Sequence, residues 1–187
     1  MHSEARPVPA PVRLAQSSIC ACFEAALRAE FEVRMIGGAD EPRYLPAQAG
    51  QAGCQAREAV IHCRADFAPS ALHEAAHWLL ASPAQRALED YGLTYVPPPR
   101  EPAAQARFYA AELAVQALEA WLSKRAGIAF RASGDDPDTS LATLASFDAT
   151  VQQIAAWYDT PLGGLFVPAT ARRFAQRLSA RLSLDSH

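Results

Sequence analysis

His73, Glu74 and His77 fall together in the run SALHEAAHWLL, residues 70–80. Side chains four apart on a helix share one face, one turn from each other. Two imidazoles placed that way can hold one metal ion with the intervening carboxylate beside it, and H-E-x-x-H is the pattern that uses this geometry. With zinc, the glutamate would act as general base on metal-bound water, giving hydrolysis. With iron, two histidines and a carboxylate leave open positions for dioxygen and a substrate. The reading without chemistry is a core helix carrying two half-exposed histidines and a solvated glutamate, because short motifs also match by accident.

Two histidines on one helix fill one side of a coordination sphere, so a third ligand must come from elsewhere. Glu112, in FYAAELAVQALEAWL, shares its helical face with Phe108, Val115, Gln116 and Glu119, a mixed surface. His62, in EAVIHC, is the other candidate. Spacing alone leaves Glu112 between ligand and ordinary solvated carboxylate. A strand-borne His62 is more often packed or exposed than metal-bound.

The elements that must position these groups are mostly helical. Leu14, Ile19, Cys22, Phe23, Ala26 and Leu27 recur at three-four spacing and predict a helix from Val12 to about Phe31. FEVRMIGG alternates and ends in two glycines, a short strand with a turn, and EAVIHC is a second strand. DEPRYLPAQAGQAG, between them, reads as a loop. The motif helix spans Pro69 to Ala81, with Ser70 as its cap and Pro83 beyond its end. AQRALEDYG adds a turn or two stopped by Gly92, and the three prolines of TYVPPPREP exclude helix and central strand. The longest helix runs from Glu101 to Ala126. GDDPDTS starts another that ends near Tyr158, TPLGG breaks it, and a last helix covers Pro168 to Leu182. The fold class expected is α+β, a mainly helical single domain with a small sheet. Residues 1–12, with three prolines, are expected to be a disordered leader to one catalytic domain over 13–187.

Composition narrows the classes. A chain of 187 residues suits one domain, and a net charge of −3 argues against phosphate-backbone binding as the main activity. Cys20, Cys22, Cys54 and Cys63 lack C-x-x-C spacing and read as free thiols of a reducing compartment. Neither a signal-peptide core nor an apolar run long enough for a membrane span is visible. The expectation is a cytoplasmic monomer that engages neither nucleic acid nor membrane. Motifs for nicotinamide, flavin or phosphate binding are not visible either.

Four blocks, DEPRYLPA, SALHEAAHW, DYGLTYVPPPR and ELAVQALEAWL, resemble those of the elongation factor P hydroxylases, in the family's order, from about Phe23 into the last helix. The leader and GQAGCQAREAV match poorly. The resemblance implies hydroxylation of the modified, β-lysylated lysine of elongation factor P, the protein substrate and partner. It implies a mononuclear non-haem Fe(II) with O2 as co-substrate, although zinc or another divalent metal can occupy such ligands in isolated protein. Carried over by position, the metal ligands are His73, His77 and Glu112. It does not suggest a double-stranded β-helix, for which the strand signals are also too few.

In that setting Glu74 is the catalytic candidate, better read as a proton-handling group beside the ligands than as a hydrolytic base. Asp40, Glu41 and Tyr44 lie in a loop near the expected substrate channel, although Pro42, Tyr44, Leu45 and Pro46 can also rigidify a loop without chemistry. Asp40, Glu41 and Glu74 are the carboxylates expected to receive the substrate's ammonium group. Arg100 is expected to meet the partner, Tyr95 and Tyr109 are candidates to line the site, and Trp78 reads as core or pocket wall. Two rival classes stay open, a zinc-dependent HExxH peptidase binding an extended peptide along a sheet edge and a non-catalytic protein stabilised by metal.

Overall fold

The computed structural model describes residues 12–48 and 57–186. Helix α1 (Gln16–Leu27) leads into strand β1 (Val33–Ala39), followed by β2 (Arg43–Leu45) and β3 (Ala59–Arg64). The helices α2 (Ala68–Leu80), α3 (Pro83–Arg86), α4 (Pro102–Ala126), α5 (Leu141–Trp157) and α6 (Ala169–Asp185) follow, with short 3-10 turns at Glu89–Gly92 and Gly163–Leu165. The class is α+β as expected, mainly helical with a three-stranded sheet. The leader and Cys54, with most of GQAGCQAREAV, lie outside the described residues.

The sheet order is β1-β3-β2, with β1 parallel and β2 antiparallel to β3. Strand β2 falls inside the segment read as loop. Only three residues long and flanked by Pro42 and Pro46, it carries too little alternation to show a strand pattern, and prolines are confined to edges in just this way. Both edges are closed by carboxylates. Glu24 accepts from the Met35 amide of β1 at 2.9 Å, and Asp90 accepts from the Tyr44 amide of β2 at 2.8 Å. Such devices stop a sheet from pairing with another chain.

Helix α2 starts at Ala68 after Phe67, without a side-chain cap. Ser70 does not cap it, because its Oγ accepts from the Arg64 amide at the end of β3 instead. The carboxamide of buried Gln16 donates to the carbonyls of Arg64 (2.7 Å) and Phe67 (3.1 Å), tying α1 to the same turn. A side chain at Gly37 would run into that carboxamide, so the glycine is required by close approach. Helix α1 is shorter than expected at its start, since the Leu14 amide bonds Ala126 at the end of α4.

Helix α4 is the axis of the fold. Pro102 opens it and Gly127, at φ 70°, closes it in the left-handed conformation. Every residue from Val115 to Ser123 is buried, because α2, α5 and α6 surround it. Trp78 belongs to the core, meeting Phe23 and Phe31 edge-on with the Arg86 guanidinium 3.7 Å above its ring. That packing fixes α2, and with it the motif, against the rest of the molecule. No helix among the described residues is long and apolar enough to cross a membrane.

Candidate metal centre

The turn spacing of α2 brings His73 and His77 together, with their Nε2 atoms 3.1 Å apart. Helix α4 crosses opposite and supplies Glu112, with Oε1 3.4 Å from His77 Nε2 and Oε2 3.7 Å from His73 Nε2. One donor atom from each of the three residues lies within 4.8 Å of the others. Donors about 2.1 Å from one ion, at angles of about 90° to 120°, stand about 3.0 to 3.6 Å apart; the two imidazole nitrogens fall in that range, and each lies 3.4 to 3.7 Å from a different oxygen of Glu112. Two imidazoles and one carboxylate therefore fit a divalent cation and leave one side of it open. His62 does not join them. It lies on the face of β3 opposite buried Ile61 and Cys63.

The outer faces of these ligands are held as well. His73 Nδ1 donates to Glu119 Oε2 at 2.9 Å, which orients the ring so that Nε2 faces the centre, where a bound cation would take the place of its proton. Glu112 is held by Gln116, whose Nε2 donates to Glu112 Oε2 at 3.2 Å and to the Ser133 carbonyl at 2.9 Å. The Ser133 amide donates back to Gln116 Oε1 at 3.0 Å. Glu119 and Gln116 had registered in the sequence as parts of a mixed surface. They sit instead in the fully enclosed stretch of α4, where a polar side chain needs a specific partner.

Charge follows the same pattern. Burial opposes protonation of His73, but the Glu119 hydrogen bond and the charges of Glu119, Glu112 and Glu74 outweigh it and raise the ring to about 9. Burial also pushes the Glu112 carboxyl upward, and bonding to His77 together with the charges of both histidines more than reverses this, holding it below the usual carboxylate range. Glu74 is buried and its pKa is raised, chiefly by that burial. The two carboxyls thus shift in opposite directions, Glu112 downward and Glu74 upward.

Residues 22–183 match the model of the family described as elongation factor P hydroxylase. This chain belongs to the elongation factor P hydroxylase family. It is also similar to the elongation factor P lysine hydroxylase of Haemophilus influenzae, 39% identical over 118 residues. That alignment covers 63% of this chain and 64% of the relative, so it spans somewhat less than two thirds of the relative's length.

The other residues singled out for the hydroxylase reading fall into two groups. Tyr44 belongs to the site's support. Its ring stacks on Tyr91 at 4.4 Å and 5°, Tyr91 in turn lies parallel to His77 at 5.9 Å and 12°, and the Tyr44 hydroxyl donates to the Arg86 carbonyl. Asp40 and Glu41 are exposed on the turn between β1 and β2. Arg100 is not a free cation. Its side chain is 2% exposed, paired with Asp135 at 2.7 Å and lying over the Phe108 ring at 4.4 Å. Tyr95 is exposed beside it, and Tyr109 bonds Thr139 rather than facing the triad. Arg100 therefore holds the Ser133–Asp135 segment against α4, the segment that also receives Gln116. Tyr91 went unremarked as a site residue, although DYG stands in a shared block.

Proposed function

We propose that this chain hydroxylates the β-lysylated lysine side chain of elongation factor P at a mononuclear iron held by His73, His77 and Glu112. The observation that carries the reading is the convergence of these three donors, with the His73 side chain 29% exposed, in a member of this hydroxylase family. Iron bound there would supply the activation of O2, the co-substrate. The chain's own residues do the rest. Glu119 fixes the His73 tautomer and Gln116 fixes the Glu112 carboxylate, so the donor set is organised before the cation arrives. Glu74, raised by burial, is suited to hold or pass a proton next to the triad. The substrate's ammonium group needs an anionic or carbonyl partner when it leaves water, and Glu74, with Asp40 and Glu41 nearer the surface, are the carboxylates available. All three ligands come from one chain, which supports a monomer, and a translation factor as substrate supports a cytoplasmic reaction.

The zinc peptidase reading shares the histidines and Glu74 but needs a sheet edge to bind an extended peptide. Edge strand β2 is three residues long, and its Tyr44 amide already serves Asp90. A short strand so occupied weighs against a peptide backbone laid along β2. Intact-mass measurement of elongation factor P from cells with and without this protein tests the proposal. One oxygen atom present solely when the protein is present is the expected result, and identical masses would overturn it.

A further inference from the structure

Tyr91 is 6% exposed, and its hydroxyl has no hydrogen-bond partner among the described residues. A buried hydroxyl without a partner is destabilising and calls for a reason. Trp78 Nε1 and Ser123 Oγ are unpaired too, but neither belongs to a ring stacked on a triad histidine. The Tyr91 ring lies parallel to that of His77, with ring centroids 5.9 Å apart.

The backbone is committed to this placement. Asp90, Tyr91 and Gly92 have φ of 46°, 60° and 72°, three successive left-handed residues of which the glycine alone adopts that region freely. Asp90 is held by the Tyr44 amide, and Tyr91 by the stacked Tyr44 ring. Strain of this kind persists where surrounding contacts over-determine it, and it clusters at functional sites. The contacts that over-determine this one end on a triad ligand.

We propose that the Tyr91 hydroxyl donates a hydrogen bond to the small electron-rich ligand taken at the open side of the His73–His77–Glu112 triad. The proposal rests on the metal reading of that triad. It makes Tyr91 a ligand-contacting residue and explains why a phenol stands where phenylalanine would be the more stable choice.

The test uses the full chain loaded with Co2+, with azide as the probe ligand and visible absorption as the readout. Tyr91→Phe keeps the ring and its stacking. The variant is expected to bind Co2+ as tightly as the parent and azide about tenfold more weakly, the effect of one lost hydrogen bond to a charged acceptor. The metal-free variant is expected to melt about 2 to 4 °C higher, because the unpaired hydroxyl is gone. Unchanged azide affinity with normal Co2+ binding overturns the proposal, as does a lowered melting temperature or loss of Co2+ binding, either of which assigns Tyr91 to the scaffold. Failure of the parent chain to bind Co2+ is a different outcome that overturns the triad reading itself, and the proposal with it.

Discussion

His73 and Glu119 form a bonded pair across α2 and α4, with Nδ1 and Oε2 2.9 Å apart. The bond leaves His73 Nε2 facing His77 and Glu112. Partners of this kind set the tautomer and basicity of a metal-binding imidazole, and their loss typically costs about 10- to 100-fold in metal affinity. Glu119→Ala is therefore expected to weaken Co2+ binding by about that factor while the fold persists. Equilibrium titration with a competing chelator measures it, and an unchanged affinity would remove Glu119 from the site.

Loss of a ligand and loss of Glu74 are expected to differ in kind. His73→Ala removes one of three ligands and should abolish metal binding and hydroxylation together. Glu74→Gln keeps the donor set and should retain the metal while losing most of the activity. Metal content by elemental analysis beside turnover separates the two. A metal-free Glu74→Gln protein would mean that Glu74 is itself a ligand.

Gln116 is the joint between the metal site and the segment after α4. Removing its side chain leaves the Ser133 amide and carbonyl without their partner and frees the Glu112 carboxylate. Gln116→Ala is expected to cost about 1 kcal/mol of stability, the net worth of hydrogen bonds to a segment that water can reach. It should also lower metal affinity several-fold. Chemical denaturation and the same chelator titration report the two effects, and a change in stability alone would uncouple the segment from the site.

How far the sequence exposes this arrangement depends on the length of each signal. The motif and the long helix are legible because i, i+4 spacing and a 25-residue α4 are strong patterns, whereas spacing leaves Glu112 one of two candidates and the family resemblance is what assigns it. Gln116 and Glu119 are harder to read. A helix enclosed on all sides loses its amphipathic stripe, so polar residues at its centre look like ordinary surface. The clue available is that Glu119 follows Glu112 by two turns and so shares its face. Strand β2 depends on a partner strand distant in the chain, and Ser70 is drawn from its capping role by the Arg64 amide at the end of β3. Tyr91 depends on backbone angles that the letters DYG do not display, although glycine after an aromatic residue hints at a turn.

Asp159 anchors the end of α5 to α4. Burial raises its pKa, but hydrogen bonds from Arg125, Lys124 and Trp121 prevail and hold it at about 2, against an ordinary 3.8. A carboxyl depressed in the folded state contributes stability in full above its unfolded pKa, and the contribution disappears as pH falls through the folded value. The group is about a third exposed, so screening limits the contribution to about 1 kcal/mol. Asp159→Asn should accordingly be less stable than the parent at pH 7, with the gap closing between about pH 4 and pH 2. Denaturant midpoints across that range check it, and a gap independent of pH would contradict the charge-based account.

The central claim is that the open side of the His73–His77–Glu112 triad serves oxygen insertion into a lysine side chain. Its most direct test incubates the iron-loaded chain with β-lysylated elongation factor P under isotopically heavy dioxygen, followed by intact mass and peptide mapping. The account predicts a gain of one heavy oxygen atom on the modified lysine, absent with His77→Ala and with unmodified elongation factor P. An unchanged mass, an oxygen atom drawn from water, or cleavage of the polypeptide would contradict it.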